Sequence, residues 1–290
     1  MDLIMQFLIT GLTVGSIYSL LAIGFVTIYN ITGNINLAQG EFAMIGALSC
    51  ITFVNSGLPN LVAMILAILI TSVIGFLLEK IAISPARNSS LITMIIITLG
   101  LSIFLKGMGL IIWGSYPKSL SPIIDLQSIS IMGAVMNPQS IFVFIVLGAL
   151  LVCLYLFFDK TFIGSALKAS ERNPKAAQLM GINTKTMSTL AFTLAAALGA
   201  IAGILIAPLT DATYEMGFLI GVKGFVAMVI GGMHSITGAV FGGLFIGIIE
   251  AFSGGFVSTF YSDAITFALL LMLLFVRPAG LFSRASGERV

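Results

Sequence analysis

Apolar residues in this chain come in long unbroken runs, not in the spaced stripes of a soluble helix or the alternation of a half-buried strand. Eight runs stand out, at 6–29, 37–54, 61–78, 91–113, 140–158, 187–208, 217–256 and 264–276. Most are near or above the roughly 20 residues that carry a helix across a bilayer. Backbone in hydrocarbon must satisfy its own hydrogen bonds, so such runs predict helices. The expected fold is all-α, a single polytopic transmembrane bundle over residues 1–290. About 8–9 membrane segments are expected from these lengths.

The run 217–256 is too long for one ordinary span, and Gly231, Gly232, His234, Ser235 and Gly238 break its middle. Lys and Arg gather at 79–90, at 159–185, and in the tail with Arg277, Arg284 and Arg289. Basic residues favour the cytoplasmic side. Placing these segments inside leaves Asp211 and Glu215 outside, so 217–256 must cross twice or enter and leave as a hairpin. The same count puts 114–139 and the N-terminus outside. No Lys or Arg precedes Lys80, so the first two runs carry no orientation signal of their own. An inside N-terminus would require the second run to be a half-crossing.

Composition sharpens the picture. The chain is 59% hydrophobic and 8% charged, with a mean hydropathy of +1.15, which excludes an ordinary soluble domain. Its 31 glycines suit close helix packing more than loops. Gly11/Gly15, Gly199/Gly203, Gly238/Gly242 and Gly243/Gly247 share the small-xxx-small spacing that lets helices approach. The net charge of +2 is a topology signal and gives no reason to expect nucleic acid. Cys50 and Cys153 sit far apart in apolar runs and read as small buried residues. Asp2 stands where a basic leader would begin and no A-x-A site follows, so the first run is expected to stay as a helix.

Three polar features interrupt the apolar pattern. The first is 33–41, where Asn34, Asn36, Gln39 and Glu41 are costly to expose to hydrocarbon. Broken backbone at membrane depth is tolerated only inside protein or along water. This stretch, with Gly40, reads either as an ordinary inside loop or as a gate or pathway lining. The second is 159–185, where Glu171, Ala176, Ala177 and Gly181 sit on a short helix-forming stretch started by Pro174 and stopped by Gly181. The third is the pair Lys223 and Glu250, opposite charges expected at one depth on consecutive passes. Intramembrane charges usually find a partner, so they are expected to pair and close the hairpin.

Several chemistries are not encoded. There is no G-x-x-x-x-G-K-[ST] loop, so ATP is not bound in that manner, and no cofactor or metal site is expected. His234, the one histidine, has Ser235 beside it. Adjacent helical residues do not face one another, and no orienting acid follows in sequence, so a nucleophile and base are not expected.

The block 169–183, A-S-E-R-N-P-K-A-A-Q-L-M-G-I-N, resembles the coupling helix by which permease subunits of ABC importers dock on their ATPases. G15-S-I-Y-S-L-L-A-I-G24, N36-L-A-Q-G40, Pro85 with Arg87, and the glycine-rich block 221–250 are similar to LivH-type permeases of branched-chain amino acid importers. Gln39 stands where that family usually has His, Leu37 for Phe, Gly224 for Ala and His234 for Gly. The resemblance implies ATPase coupling through Ala169, Glu171, Arg172, Asn173, Pro174, Ala177 and Gly181. It also implies a multi-pass protein of the cell inner membrane, paired with a LivM-type permease. Two cytoplasmic ATPases and an extracytoplasmic binding protein would serve the pair, and ATP would be bound by those partners. Its cargo would be branched-chain or other hydrophobic amino acids moved inward by alternating access, or alternatively urea or short amides. A stand-alone secondary transporter is the competing class, and an intramembrane enzyme a third.

Overall fold

The structure is a computed structural model describing residues 2–87, 89–122, 128–131, 134–258, 260–277 and 280–281. Arg284 and Arg289, part of the expected inside tail, lie outside the described residues. Eleven α-helices follow one another among the described residues: α1 (Asp2–Thr32), α2 (Gln39–Asn55), α3 (Asn60–Leu78), α4 (Leu91–Trp113), α5 (Pro138–Lys160), α6 (Phe162–Arg172), α7 (Pro174–Leu179), α8 (Thr184–Ile206), α9 (Met216–Gly231), α10 (Ile236–Phe256) and α11 (Ser262–Val276). Six of them, α1, α3, α4, α5, α8 and α10, are long and apolar enough to cross a membrane. The chain is therefore nearly all-helical.

Polar residues mark where the helices begin. Ser90, Asn137, Thr161, Asn183 and Ser235 each accept a first-turn backbone N–H of α4, α5, α6, α8 and α10. These are the side chains whose short oxygens satisfy orphan donors at a helix start.

The long run 217–256 resolves into α9 and α10, reversed at Gly232 with φ +104°. An L side chain rarely adopts that backbone conformation, and Gly does so at little cost. Regular structure also occurs outside the apolar runs. Between the fourth and fifth runs, β1 (Ile129–Ile131) and β2 (Ala134–Met136) pair antiparallel. Glu79, at the start of the basic segment 79–90, begins a π-helical turn (Glu79–Ile83) that continues α3. Its carboxylate is buried there and accepts the Thr189 hydroxyl at 2.6 Å, tying α3 to α8.

Close backbone contact organises the centre. Gly11 and Gly15 of α1 face Gly243, Gly247 and Ile248 of α10, where an added β-carbon would lie within 2.9 Å of backbone atoms. One helical turn away on α10, Gly238 and Gly242 face Gly231 and Ala227 of α9. Gly199 and Gly203 of α8 face Phe42 and Ala43 of α2. All four spaced glycine pairs therefore lie at helix contacts. α1 and α8 form the interior, with 78% and 72% of their most apolar windows buried, against 22%, 22% and 17% for α3, α4 and α5. Leu69, Ile103 and Val152 on those outer helices are exposed apolar side chains, as a lipid-facing surface requires.

Three hydrogen bonds set which helix ends share a side. Gln6, near the start of α1, exchanges hydrogen bonds with Val135 of β2, at 3.1 and 2.9 Å. Asn30, near its end, donates to the carbonyl of His234 at 3.2 Å, in the α9–α10 turn. β2 and that turn thus lie at opposite ends of α1.

Candidate functional site

The polar block at 159–185 forms two helices, not one. Ala169, Glu171 and Arg172 end α6, and Asn173 turns the chain with φ −154° and ψ 95° before Pro174 opens α7. The helix expected to start at Pro174 and stop at Gly181 is α7, whereas Glu171, expected on the same stretch, belongs to α6. Pro174 lacks the N–H that would continue α6, while its fixed φ suits the first position of a new helix. Asn173 Oδ1 accepts the Ala176 N–H at 3.0 Å, a cap that the sequence reading left unassigned.

At the other end of α7, Gly181 has φ +84°. Its N–H donates to Gln178, and the Ile182 N–H reaches back to Ala177, both at 3.0 Å. That is the paired closure in which glycine takes the left-handed position beyond a helix. Ala177 is buried against the body of the protein, while Leu179 and Met180 project with 89% and 83% exposure. Two large apolar side chains thus stand exposed, side by side, within a polar segment. Neither was singled out from sequence, because isolated apolar residues there look like part of the helix's own packing.

The rest of the segment packs against its neighbours. Leu167 and Ala166 of α6 are buried with Met187 of α8. Lys168 pairs with Asp159. Burial raises the Glu171 carboxyl above its ordinary value, while nearby His234, Arg172 and Lys168 pull it back. His234 Nδ1 lies 2.9 Å from Asn30 Oδ1, and its ring packs on Tyr29.

The 33–41 stretch is less broken than its composition predicted. Gln39, Gly40 and Glu41 form the first turn of α2, and only 33–38 is non-helical. Asn34 makes a local turn with Thr32. Asn36 Oδ1 accepts the Ala38 N–H at 3.1 Å. Gln39 and Glu41 point away from each other. Gln39 Nε2 donates to the Ala195 carbonyl at 2.8 Å, between α1 and α8. Glu41 Oε1 accepts the Ser102 hydroxyl at 2.8 Å, between α4 and the start of α9 at Gly217. Gly40 lies against Gly217 and Gly221, and no β-carbon fits there. Asn36, Gln39 and Glu41 are all buried, and Asn36 Nδ2, Gln39 Oε1 and Glu41 Oε2 have no partner among the described residues.

Lys223 and Glu250 meet: the ammonium lies 2.6 Å from Glu250 Oε1. Two more residues join them. Asp263 of α11 is 2.9 Å from the same ammonium, and the Tyr18 hydroxyl donates to Glu250 Oε2 at 2.8 Å. Four helices, α1, α9, α10 and α11, are tied at one point. Asp263 was missed because it lies just before the last apolar run, where an acid reads as a flank. A second ion pair, Lys106 with Glu215 at 2.9 Å, links α4 to the segment before α9. The Lys106 hydrogen bond and charge hold the Glu215 carboxyl below its ordinary value.

Comparison with known proteins gives a consistent result. The family described as the branched-chain amino acid transport system / permease component matches residues 7–274. The permease protein BraD of a high-affinity branched-chain amino acid transport system in Pseudomonas aeruginosa is 35% identical, over 99% of this chain and 98% of its own length. The corresponding LivH of Escherichia coli K12 is also 35% identical, over 99% and 97%. Among solved structures, PsaBC from Streptococcus pneumoniae in complex with Fab aligns with a TM-score of 0.53, covering 96% of this chain and 93% of that one. At 16% identity that likeness concerns the fold alone.

Proposed function

This chain belongs to the family of permease components of branched-chain amino acid transport systems, and from that premise we propose that it moves branched-chain or other hydrophobic amino acids into the cytoplasm. The observation that carries the reading is identity along nearly the whole chain to permeases of that one system. The work is alternating access, powered by ATP hydrolysis on separate subunits. The partners are two cytoplasmic ATPases, an extracytoplasmic binding protein and a second, LivM-type permease in the cell inner membrane.

In this reading α6 and α7 are the coupling element. Leu179 and Met180 enter a groove of the ATPase, and the Asn173 cap and Gly181 closure hold α7 at a set angle to α6. Segment 159–185 and the α9–α10 turn face the cytoplasm, and 114–139 faces outward. Nine membrane segments then serve, with α2, α9 and α11 shorter than a full span; at about 1.5 Å per residue, the 16 residues of α9 extend roughly 24 Å. A short helix is tolerated where neighbours bury its ends. Asn36, Gln39 and Glu41, with partnerless polar atoms at the start of α2, are the gate: they gain partners when α2 moves against α4 and α8.

The test is reconstitution in liposomes with the ATPases, the partner permease and the binding protein. ATP-dependent accumulation of leucine, isoleucine or valine is expected. Accumulation of urea or short amides in its place, or uptake without ATPase subunits, would overturn the reading.

A further inference from the structure

The Lys223 cluster does more than tie helices, because its charges do not balance. One ammonium faces two carboxylates, Glu250 and Asp263. A neutral pair would suffice to close a hairpin, and an extra acid at membrane depth is costly unless it has a task. The cluster forms one wall of a pocket of about 570 Å³. Phe7, Val14 and Ala251 supply an apolar wall.

The groups are unequally engaged. Glu250 is used on both oxygens, by Lys223 and by Tyr18. Asp263 is 53% exposed while Lys223 is only 12% exposed. An ammonium has three N–H donors, and the two carboxylates take one each. A half-open acid, a lysine with one donor in hand and an apolar wall therefore meet in one pocket.

We propose that this pocket binds the zwitterion of an apolar α-amino acid. Asp263 takes the ligand's ammonium, which neutralises the excess negative charge. Lys223 donates its third N–H to the ligand's carboxylate. The side chain lies along Phe7, Val14 and Ala251, where a polar side chain would lose water without gaining a partner. Gln6, another lining residue, is bonded to Val135, so the hairpin stands beside the mouth. The mouth opens on the side of segment 114–139, where a binding protein would release its cargo. The inference rests on the proposed transport function and assigns that function a substrate subsite.

Protection of a thiol tests it. Thr10 lines the pocket and is exposed. Thr10→Cys is made in a chain carrying Cys50→Ala and Cys153→Ala, and the assembled permease–ATPase complex is purified without binding protein. Leucine is expected to slow maleimide labelling at position 10. At the same concentration 4-methylpentanoate, which lacks the ammonium, and isopentylamine, which lacks the carboxylate, are expected not to. Asp263→Asn should require about tenfold more leucine for equal protection, the effect of losing one charge-assisted contact.

Equal protection by either half-molecule, no protection by leucine, or an unshifted leucine dependence in Asp263→Asn would overturn the proposal. If Asp263→Asn fails to fold, the comparison of leucine with its two half-molecules decides alone. ATP-driven leucine uptake by the parent complex is measured in parallel. Normal uptake with no protection refutes this subsite and leaves the transport function standing. Absent uptake refutes the transport function, whatever the labelling shows.

Discussion

Gly15 of α1 and Gly243 of α10 meet backbone against backbone: a β-carbon on Gly15 would stand 2.8 Å from the Gly243 carbonyl oxygen. Nothing at that contact can move aside as a flexible side chain would. Gly15→Ala is expected to destabilise the protein by about 1–3 kcal/mol, the usual cost of overpacking a rigid contact. Gly100 of α4 has nothing within 4 Å of its β-carbon position. Gly100→Ala should therefore be neutral or slightly stabilising, since Ala is the better helix former. Thermal unfolding in detergent measures both, and equal shifts would contradict the packing account.

Leu179→Asp and Met180→Asp should sharply reduce ATP-driven uptake and co-purification of the ATPase while leaving the unfolding midpoint within a degree or two, because exposed side chains contribute little to folding. Gly181→Val acts differently. It forces a β-branched residue to positive φ, at about 1–2 kcal/mol, and should loosen α7 itself. Full uptake in Leu179→Asp would remove α7 from the coupling surface.

Lys223 holds two carboxylates, so its loss should be the most damaging single change in the cluster. Lys223→Met strands both acids, whereas Glu250→Gln leaves Lys223 paired with Asp263. Lys223→Met is expected to cost about 1–3 kcal/mol, below the value for a fully buried pair because Asp263 is half-exposed. The double change should cost less than the sum of the two single changes. A double-mutant cycle of unfolding midpoints checks this, and additive losses would argue against coupling.

Glu171 gives a pH dependence. Burial raises its carboxyl above the unfolded value, so its protonated form favours the folded α6. That contribution is fully present below the unfolded value and is lost as pH rises through the folded one. Glu171→Gln mimics the protonated form. It should raise the unfolding midpoint at neutral pH and make no difference in acid. The same gain at both pH values would show that charge is not involved.

Side assignment is open to labelling. In a chain without Cys50 and Cys153, a cysteine at Ser121 should react with an impermeant thiol reagent added to intact cells. One at Lys175 should react only after the membrane is opened. Reaction of the Lys175 position from outside would invert the proposed orientation.

The apolar runs were legible in sequence because a bilayer imposes its thickness on every span. The fourth run, 91–113, matches α4 residue for residue, and Gly232 divides 217–256 where the polar break lies. Pro174 and Gly181 likewise announced the two ends of α7, since both act through their own backbone. Lys223 and Glu250 could be placed at one depth from chain length alone. What pairing depth does not determine is azimuth, the direction each side chain takes around its helix. Asp263 and Tyr18 reach the same point only once α1, α9, α10 and α11 are packed together. For the same reason Gln39 and Glu41, two residues apart, serve opposite faces of α2. Run length, charge bias and turn residues are local properties that the sequence determined by itself. The rotation and close approach of helices arise from contacts between distant residues, and only the tertiary structure decided them.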